Sequence, residues 1–276
     1  MKKLITVVIP TYNRLELTNN AIDSVFSISP ELIDIVVIDD CGEQKFNYLK
    51  PENKHNIAVR NFRIDKNSGP GICRAVGVEN SSSQLVVFLD SDDLIKNDWL
   101  DVVMSELESI DQKDRAALFF VGRPLGLAKV YDLVWTTLNC LPHGIRLRCA
   151  RLLVLMFNPF YTPTIALSRE ICEFDDVLRY CEDYYTNGFA AFKATKLIML
   201  SHVPCILGRK PGSLGGLSSA RWKMFRGEMA VRFALFSSLK VPIYYRIFAP
   251  VGMLYQIIRS ILKLLIDALT YYRLRR

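Results

Sequence analysis

Only three histidines occur among 276 residues. The seven cysteines (Cys41, Cys73, Cys140, Cys149, Cys172, Cys181, Cys205) form no C-x-x-C pair and have no histidines interleaved at zinc-ligand spacing. This disfavours a zinc module or a disulfide scaffold, so reduced and mostly buried thiols in a cytosolic compartment are expected. No G-K-[S/T] is present, which removes a P-loop. The stretch NSGPGICRAVG has Gly69 and Gly71 but Arg74 where a dinucleotide fingerprint needs its third glycine. Internal repeats and low-complexity tracts are also missing. The opening MKKLITVVIPTYN has two lysines before an apolar run. That run is only the six residues Leu4 to Ile9 and lacks a small-residue cleavage site, so a first β-strand is expected and not a secretory signal.

With half its residues hydrophobic, the chain is long enough for one large domain, or one domain with an appendage. The runs LITVVIP, IDIVVIDD and QLVVFLDSDD lack a polar alternate, which suits strands buried on both faces of a parallel sheet. Between the first two, LELTNNAIDSVFSIS puts Leu17, Ala21, Ile22 and Val25 on one helical face. Between the second and third, GPGICRAVGVENSS reads as a helix opened by Gly69 and Pro70. AALFFVG (116 to 122) is a further candidate strand. Strands alternating with helices predict a doubly wound α/β sheet whose ligands bind beyond the carboxyl ends of the strands. Those ends are PTYN (10 to 13), DDCG (39 to 42) and DSDD (90 to 93).

The last of these sets Asp90, Asp92 and Asp93 close together, and like charges so close need cationic company. Hard divalent cations bind through one or two carboxylates plus substrate phosphates. A strand edge carrying these residues beside Asp39 and Asp40 therefore suits a metal-bound nucleotide diphosphate. The competing reading is a solvated acidic turn capping the helix KNDWLDVVMSELES.

The formal charge of +7 is unevenly spread: residues 1 to 208 sum to −4, and residues 209 to 276, with 13 basic and two acidic side chains, to +11. In MLYQIIRSILKLLIDALTYYRLRR, Gln256, Arg259, Ser260, Lys263, Asp267 and Thr270 fall within about a 100° arc, leaving a broad face of Leu, Ile and Tyr. The longest uncharged stretch in this region, Ile247 to Ile258, is too short for a bilayer span. An amphipathic helix in the interface of an anionic membrane is expected, the alternative being a helix packed on the domain. Nucleic acid is not an expected partner, because the aromatics lie on the apolar face and do not interleave with the basic residues.

Four stretches stand in order: VVIPTYNR (7 to 14), IVVIDDCG (35 to 42), NSGPGICRAVGVENSSSQLVVFLDSDD (67 to 93) and CEDYY (181 to 185). Together they resemble the family 2 glycosyltransferases of the GT-A fold, from residue 4 to about 215. The resemblance implies a Rossmann-like nucleotide-binding sheet with helices on both faces, here followed by the amphipathic helical tail. The glycosyltransferase domain is then 1–215 and the basic, membrane-associating region 216–276. It implies that Tyr12 lines a base pocket shaped by Pro10 and Thr11, that Asp40 accepts the N3 proton of uracil, and that Arg74 faces the nucleotide. Asp90 is implied to address the ribose, with Ser91 in the same donor site, and Asp92 to bind Mn²⁺ or Mg²⁺, with Asp93 its rival. Asp183 corresponds to the family's base. One base suffices, since the diphosphate leaves without protonation, and single displacement inverts the anomeric carbon. The alternative for Asp183 is a helix N-terminal carboxylate favoured by the macrodipole. One departure is Lys210, which stands before Pro211 where relatives carry a histidine. Protonated lysine neutralises phosphate but does not ligate a metal.

The reading reached is an inverting hexosyl- or N-acetylhexosaminyltransferase. It would move a sugar from a nucleotide sugar, expected to be a UDP-sugar, to a lipid-linked saccharide in bacterial surface polysaccharide assembly (O-antigen or capsule), at the cytoplasmic face of the membrane. The alternatives are a nucleotidyltransferase, disfavoured because PTYNRLEL has no glycine, and a catalytically silent nucleotide-sugar or membrane-binding module.

Overall fold

The computed structural model describes residues 3–25, 32–48, 59–123, 129–208 and 220–274. Seven strands form one sheet in the order β3-β2-β1-β4-β7-β6-β8: β1 (Ile5–Thr11), β2 (Ile33–Asp39), β3 (Val59–Arg63), β4 (Leu85–Phe88), β6 (Leu118–Gly122), β7 (Ile165–Ser168) and β8 (Lys196–Leu200). The first four run parallel, as do β6 and β8, while β7 runs antiparallel between β4 and β6. The sheet is therefore mixed, and only its β3-β2-β1-β4 half is the expected parallel unit. The three apolar runs are β1, β2 and β4, buried at every position.

Because successive side chains point to opposite faces, each run divides between two cores. Val8, Val36, Ile38, Val86 and Phe88 pack on one face; Ile5, Val7, Ile9, Ile35, Val37 and Val87 pack on the other. The second face is closed by α1 (Leu15–Val25) and α3 (Asn97–Ser109). The first is closed by α2 (Pro70–Glu79), α5 (His143–Met156), α6 (Glu182–Lys193) and α7 (Arg221–Ser237), with α4 (Lys129–Asn139) alongside. On α1 the buried set is Thr18, Ala21, Ile22 and Val25, while Leu17, expected among them, is 44 % exposed. The helix keeps the i, i+3, i+4, i+7 stripe but centres it on Thr18. That hydroxyl is satisfied by the Arg14 carbonyl at 2.7 Å and by Thr11 Oγ1 at 2.6 Å, so a polar residue sits inside without penalty.

β5 (Leu94–Ile95) and β9 (Cys205–Ile206) pair antiparallel as a small second sheet. This ribbon carries Gly208 onto the DSDD turn, where a Cβ would lie 1.7 Å from the Asp92 carbonyl oxygen; only glycine fits so close an approach. Among the described residues no cysteine is disulfide-bonded; Cys73, Cys181 and Cys205 are buried and Cys140 is exposed.

The region after residue 215 shares the main core: Val231 and Leu235 of α7, Tyr245 of α8 (Ile243–Arg246) and Ala249 of α9 (Ala249–Leu274) join the cluster around β4 and β6. α9 packs through small and polar residues, Ala249, Gly252 and Gln256. Gln256, assigned to the polar arc, is 5 % exposed, whereas Leu254, Ile258, Ile261 and Leu262 are 48 to 58 % exposed. The helix is thus packed on the domain through one side. Gln256 brings the start of the polar arc onto the domain, Arg259 of the same arc stays exposed, and the Leu and Ile side chains up to Leu262 point away. Among the described residues no helix is long and apolar enough to cross a membrane.

Candidate active site

The carboxyl ends of β1, β2 and β4 lie side by side, since Thr11 pairs with Asp39 and Val8 with Phe88. The adjacent acids of DDCG divide their labour. Asp39 is buried and builds its own turn, accepting N–H bonds from Gly42 (2.9 Å) and Phe46 (3.1 Å) and an Arg63 guanidinium contact at 2.8 Å. Asp40 accepts the backbone N–H groups of Ser68 (2.7 Å) and Gly69 (2.9 Å). It therefore anchors the loop entering α2, where Gly69 has φ +93°, a conformation that glycine adopts freely. On the facing loop Pro10 and Thr11 are buried in β1 and Tyr12 stands 46 % exposed. Asn13, left-handed at φ 52°, accepts the Glu43 N–H at 2.7 Å and so ties PTYN to DDCG.

The crowding in DSDD is resolved by giving each carboxylate its own partner. Asp90 meets Arg74 at 2.6 Å, Asp92 meets Arg14 at 3.3 Å, and Asp93, 5 % exposed, accepts the Gly208 N–H at 3.0 Å. Buried Ser91 takes a further Arg14 contact at 3.4 Å. The helix that follows does not use these acids as caps: its N-cap residue is Lys96, without a side-chain cap. Arg74 donates its other arm to Glu182 at 2.9 Å, with its side chain only 6 % exposed. Arg74 is thus a clamp between the DSDD turn and the Glu-Asp pair. Burial by itself would weaken it as a cation, but the charges of Asp90, Glu182 and Asp183 raise its pKa beyond the ordinary range.

Glu182 and Asp183 open α6, preceded by Cys181 in the left-handed region at φ 60°. Burial pushes Glu182 up to about 7 against the pull of Arg74. Burial also raises Asp183, opposed by Arg74, the Tyr184 amide and the Thr162 hydroxyl. Asn158 Nδ2 and Thr162 Oγ1 both donate to Asp183 Oδ2, at 3.2 and 3.3 Å. Two phenols border the same space, their rings 6.2 Å apart: Tyr131, raised to about 12 by burial and the Asp183 charge, and Tyr161, raised further by burial and by Asp90 and Asp93. Asp40, Arg74, Asp90, Asp93 and Asp183 therefore belong to one connected edge.

Lys210 and the loop around it lie outside the described residues. Among the described residues no three metal-ligating side chains gather into a cage. A divalent cation that keeps its waters and leans on substrate phosphates requires only one or two carboxylates, and Asp92 and Asp93 are carboxylates of the type such a cation takes. Sequence reasoning passed over Arg14, Asn13, Asn158, Thr162, Tyr131 and Tyr161. Arg14 and Asn13 lie inside the VVIPTYNR stretch and were within reach. The others sit in FNPFYTPT or on α4, where no motif marks them.

A mixed α/β sheet with an acidic edge and a Glu-Asp pair at a helix start has the architecture of a GT-A glycosyltransferase fold. Residues 6–153 match the model of Glycosyl transferase family 2, and the chain belongs to that family. An uncharacterized glycosyltransferase of Rickettsia felis is 33 % identical over 104 residues, 38 % of this chain and 17 % of that one. The Rhizobium meliloti succinoglycan biosynthesis protein ExoO is 27 % identical over 194 residues, 65 % of this chain and 53 % of its own length. The chain thus spans well under two thirds of these relatives. Among solved structures, S. aureus TarS 1-349 in complex with UDP-GlcNAc superposes with a TM-score of 0.64 at 15 % identity, over 92 % of this chain and 72 % of that one. At that identity the likeness speaks for the fold.

Proposed function

We propose that the protein is an inverting glycosyltransferase that moves a hexosyl or N-acetylhexosaminyl group from a UDP-sugar to a hydroxyl of a lipid-linked saccharide during surface polysaccharide assembly. The observation that carries this reading is the single edge on which Asp40, the Arg74 clamp, the DSDD turn and Asp183 meet. Tyr12, with Pro10 and Thr11, forms one wall for the base, Asp40 and Arg74 organise the loop and helix beside it, and Asp90 with Ser91 faces the ribose. Lys210 supplies charge to the diphosphate. Mn²⁺ or Mg²⁺ held by Asp92 and Asp93 would neutralise the charge growing on the departing diphosphate.

The acceptor oxygen approaches the anomeric carbon from the side opposite the diphosphate. As that bond forms, the bond from the anomeric carbon to the diphosphate oxygen breaks and its electron pair leaves with the nucleoside diphosphate. The acceptor proton passes to Asp183. Burial raises Asp183, which makes its carboxylate a stronger base toward the acceptor proton.

The outward apolar face of α9, with Ile243, Tyr244 and Ile247 of the preceding turn at 62 to 66 % exposure, supports a peripheral seat on the inner face of the cell membrane. There the basic excess after residue 208 would meet anionic headgroups. ExoO's name favours polysaccharide assembly over the other uses of the fold. The test is transfer from a panel of nucleotide sugars to lipid-linked saccharides with Mn²⁺ present, Asp183→Asn serving as control. A folded Asp183→Asn protein with full transfer would remove the base assignment. Leu254→Glu with Ile258→Glu should release the protein from anionic vesicles, and retention would remove the membrane seat.

A further inference from the structure

We infer that Asn158 and Thr162 are the positioning residues of the base, together clamping Asp183 Oδ2 so that Asp183 Oδ1 is the atom that receives the acceptor's proton. The inference rests on Asp183 being the base, as proposed above, and deepens that reading.

Among the described residues, both side-chain donors that reach Asp183 converge on the same oxygen, Asn158 Nδ2 at 3.2 Å and Thr162 Oγ1 at 3.3 Å. The orientation of the Asn158 amide is decided by its neighbours. Its Oδ1 accepts the Phe160 backbone N–H at 3.3 Å, a group that only donates, so the amide nitrogen must face Asp183. Asn187 backs the arrangement: it lies one helical turn beyond Asp183 on α6, is 1 % exposed, and donates to Asn158 Oδ1 and to the Phe160 carbonyl, each at 3.4 Å. Asn158 is therefore held at both ends, by α6 and by its own loop. Thr162, 5 % exposed, stands in the single 3₁₀ turn Thr162–Thr164 that leads into β7, so its hydroxyl is carried by the sheet.

The charged and titratable groups around Asp183 come from several elements: Arg74 on α2, Asp90 after β4, Glu182 and Cys181 at the start of α6, Tyr131 on α4 and Tyr161 before β7. Arg74 is engaged with Asp90 and Glu182, and beside its charge and the Tyr184 amide Asn158 and Thr162 supply the side-chain hydrogen bonds that favour the ionised form of Asp183. A donor to a buried carboxylate favours that form, and losing one moves the pKa upward.

The test measures kcat against pH for wild type, Thr162→Val, Thr162→Ser and Asn158→Ala, with Asp183→Asn as reference and a thermal melt for each. The acid limb should move up by about one pH unit in Thr162→Val and in Asn158→Ala, with donor KM unchanged, and return in Thr162→Ser. If Asp183→Asn is inactive while both limbs stay within about 0.2 unit of wild type, the positioning role is refuted and the base assignment stands. If folded Asp183→Asn transfers sugar at the wild-type rate, the base assignment fails and takes this inference with it. Should Asn158→Ala not fold, Thr162→Val, which replaces only a hydroxyl by a methyl, decides the matter alone.

Discussion

Replacing Arg74 with methionine should destabilise the protein in a way that depends on pH. Arg74 bridges Glu182 at 2.9 Å and Asp90 at 2.6 Å, with side-chain exposures of 12 % and 37 % for the two acids. The Asp90 arm is screened by solvent and adds about 1 kcal/mol at most. The Glu182 arm dominates, because removing one partner of a buried pair leaves a charge without compensation, at a cost of about 3–5 kcal/mol. Burial already holds Glu182 up at about 7 with Arg74 in place, and losing the guanidinium lifts it further. An acid whose folded pKa lies above its unfolded one contributes stability below the unfolded value and loses it as pH rises through the folded value. The deficit of Arg74→Met should therefore stay about level up to roughly pH 7 and grow above it, by up to about 1.4 kcal/mol per unit, as Glu182 ionises in the wild type but not in the variant. Urea denaturation at pH 5, 6.5 and 8 measures this directly. A deficit under about 1 kcal/mol at pH 8, or one equal at all three values, would refute the clamp. Lysine should recover only part of the loss, since a single ammonium cannot hold two carboxylates as a planar fork does.

Gly77→Ala would bring a Cβ within 2.3 Å of Val8 Cγ1, forcing α2 off β1. It should cost about 1–3 kcal/mol, read as a lowered midpoint in the same denaturation series. Gly208→Ala collides with the Asp92 carbonyl at 1.7 Å and must undock the strand-borne loop from Asp93. Donor affinity by calorimetry should fall at least about tenfold, with global stability changed by roughly 0.5 kcal/mol or less. Chelation should abolish transfer and added Mn²⁺ restore it, followed as nucleoside diphosphate release; undiminished release in excess chelator would remove the metal role.

Much of the donor half was legible because it is written in local terms. An apolar run without alternation, a turn of small and acidic residues, and a helix start with Glu and Asp each make sense within a few residues, and the strands β1, β2 and β4 and the helices α2, α3 and α6 fall where those patterns put them. β3 escaped notice because VRNFR is a half-exposed edge strand and so carries no continuous apolar signal. β7 lies antiparallel between parallel neighbours for reasons of chain path that no local pattern records.

The amino-acid sequence by itself determined which elements form, and that three loops bearing Tyr12, Asp40 and Asp90 end on one edge, because helix and strand periodicities act over neighbouring residues. Tertiary structure alone decided the partnerships. Arg74 meets Glu182 across 108 positions of chain and Asn158 meets Asp183 across 25. It also turned Thr18 inward in place of Leu17, and buried Gln256 of α9 against the domain while Leu254 and Ile258 face outward. Such choices depend on which distant surfaces packing brings within a few ångströms, and no short window of sequence contains that distance.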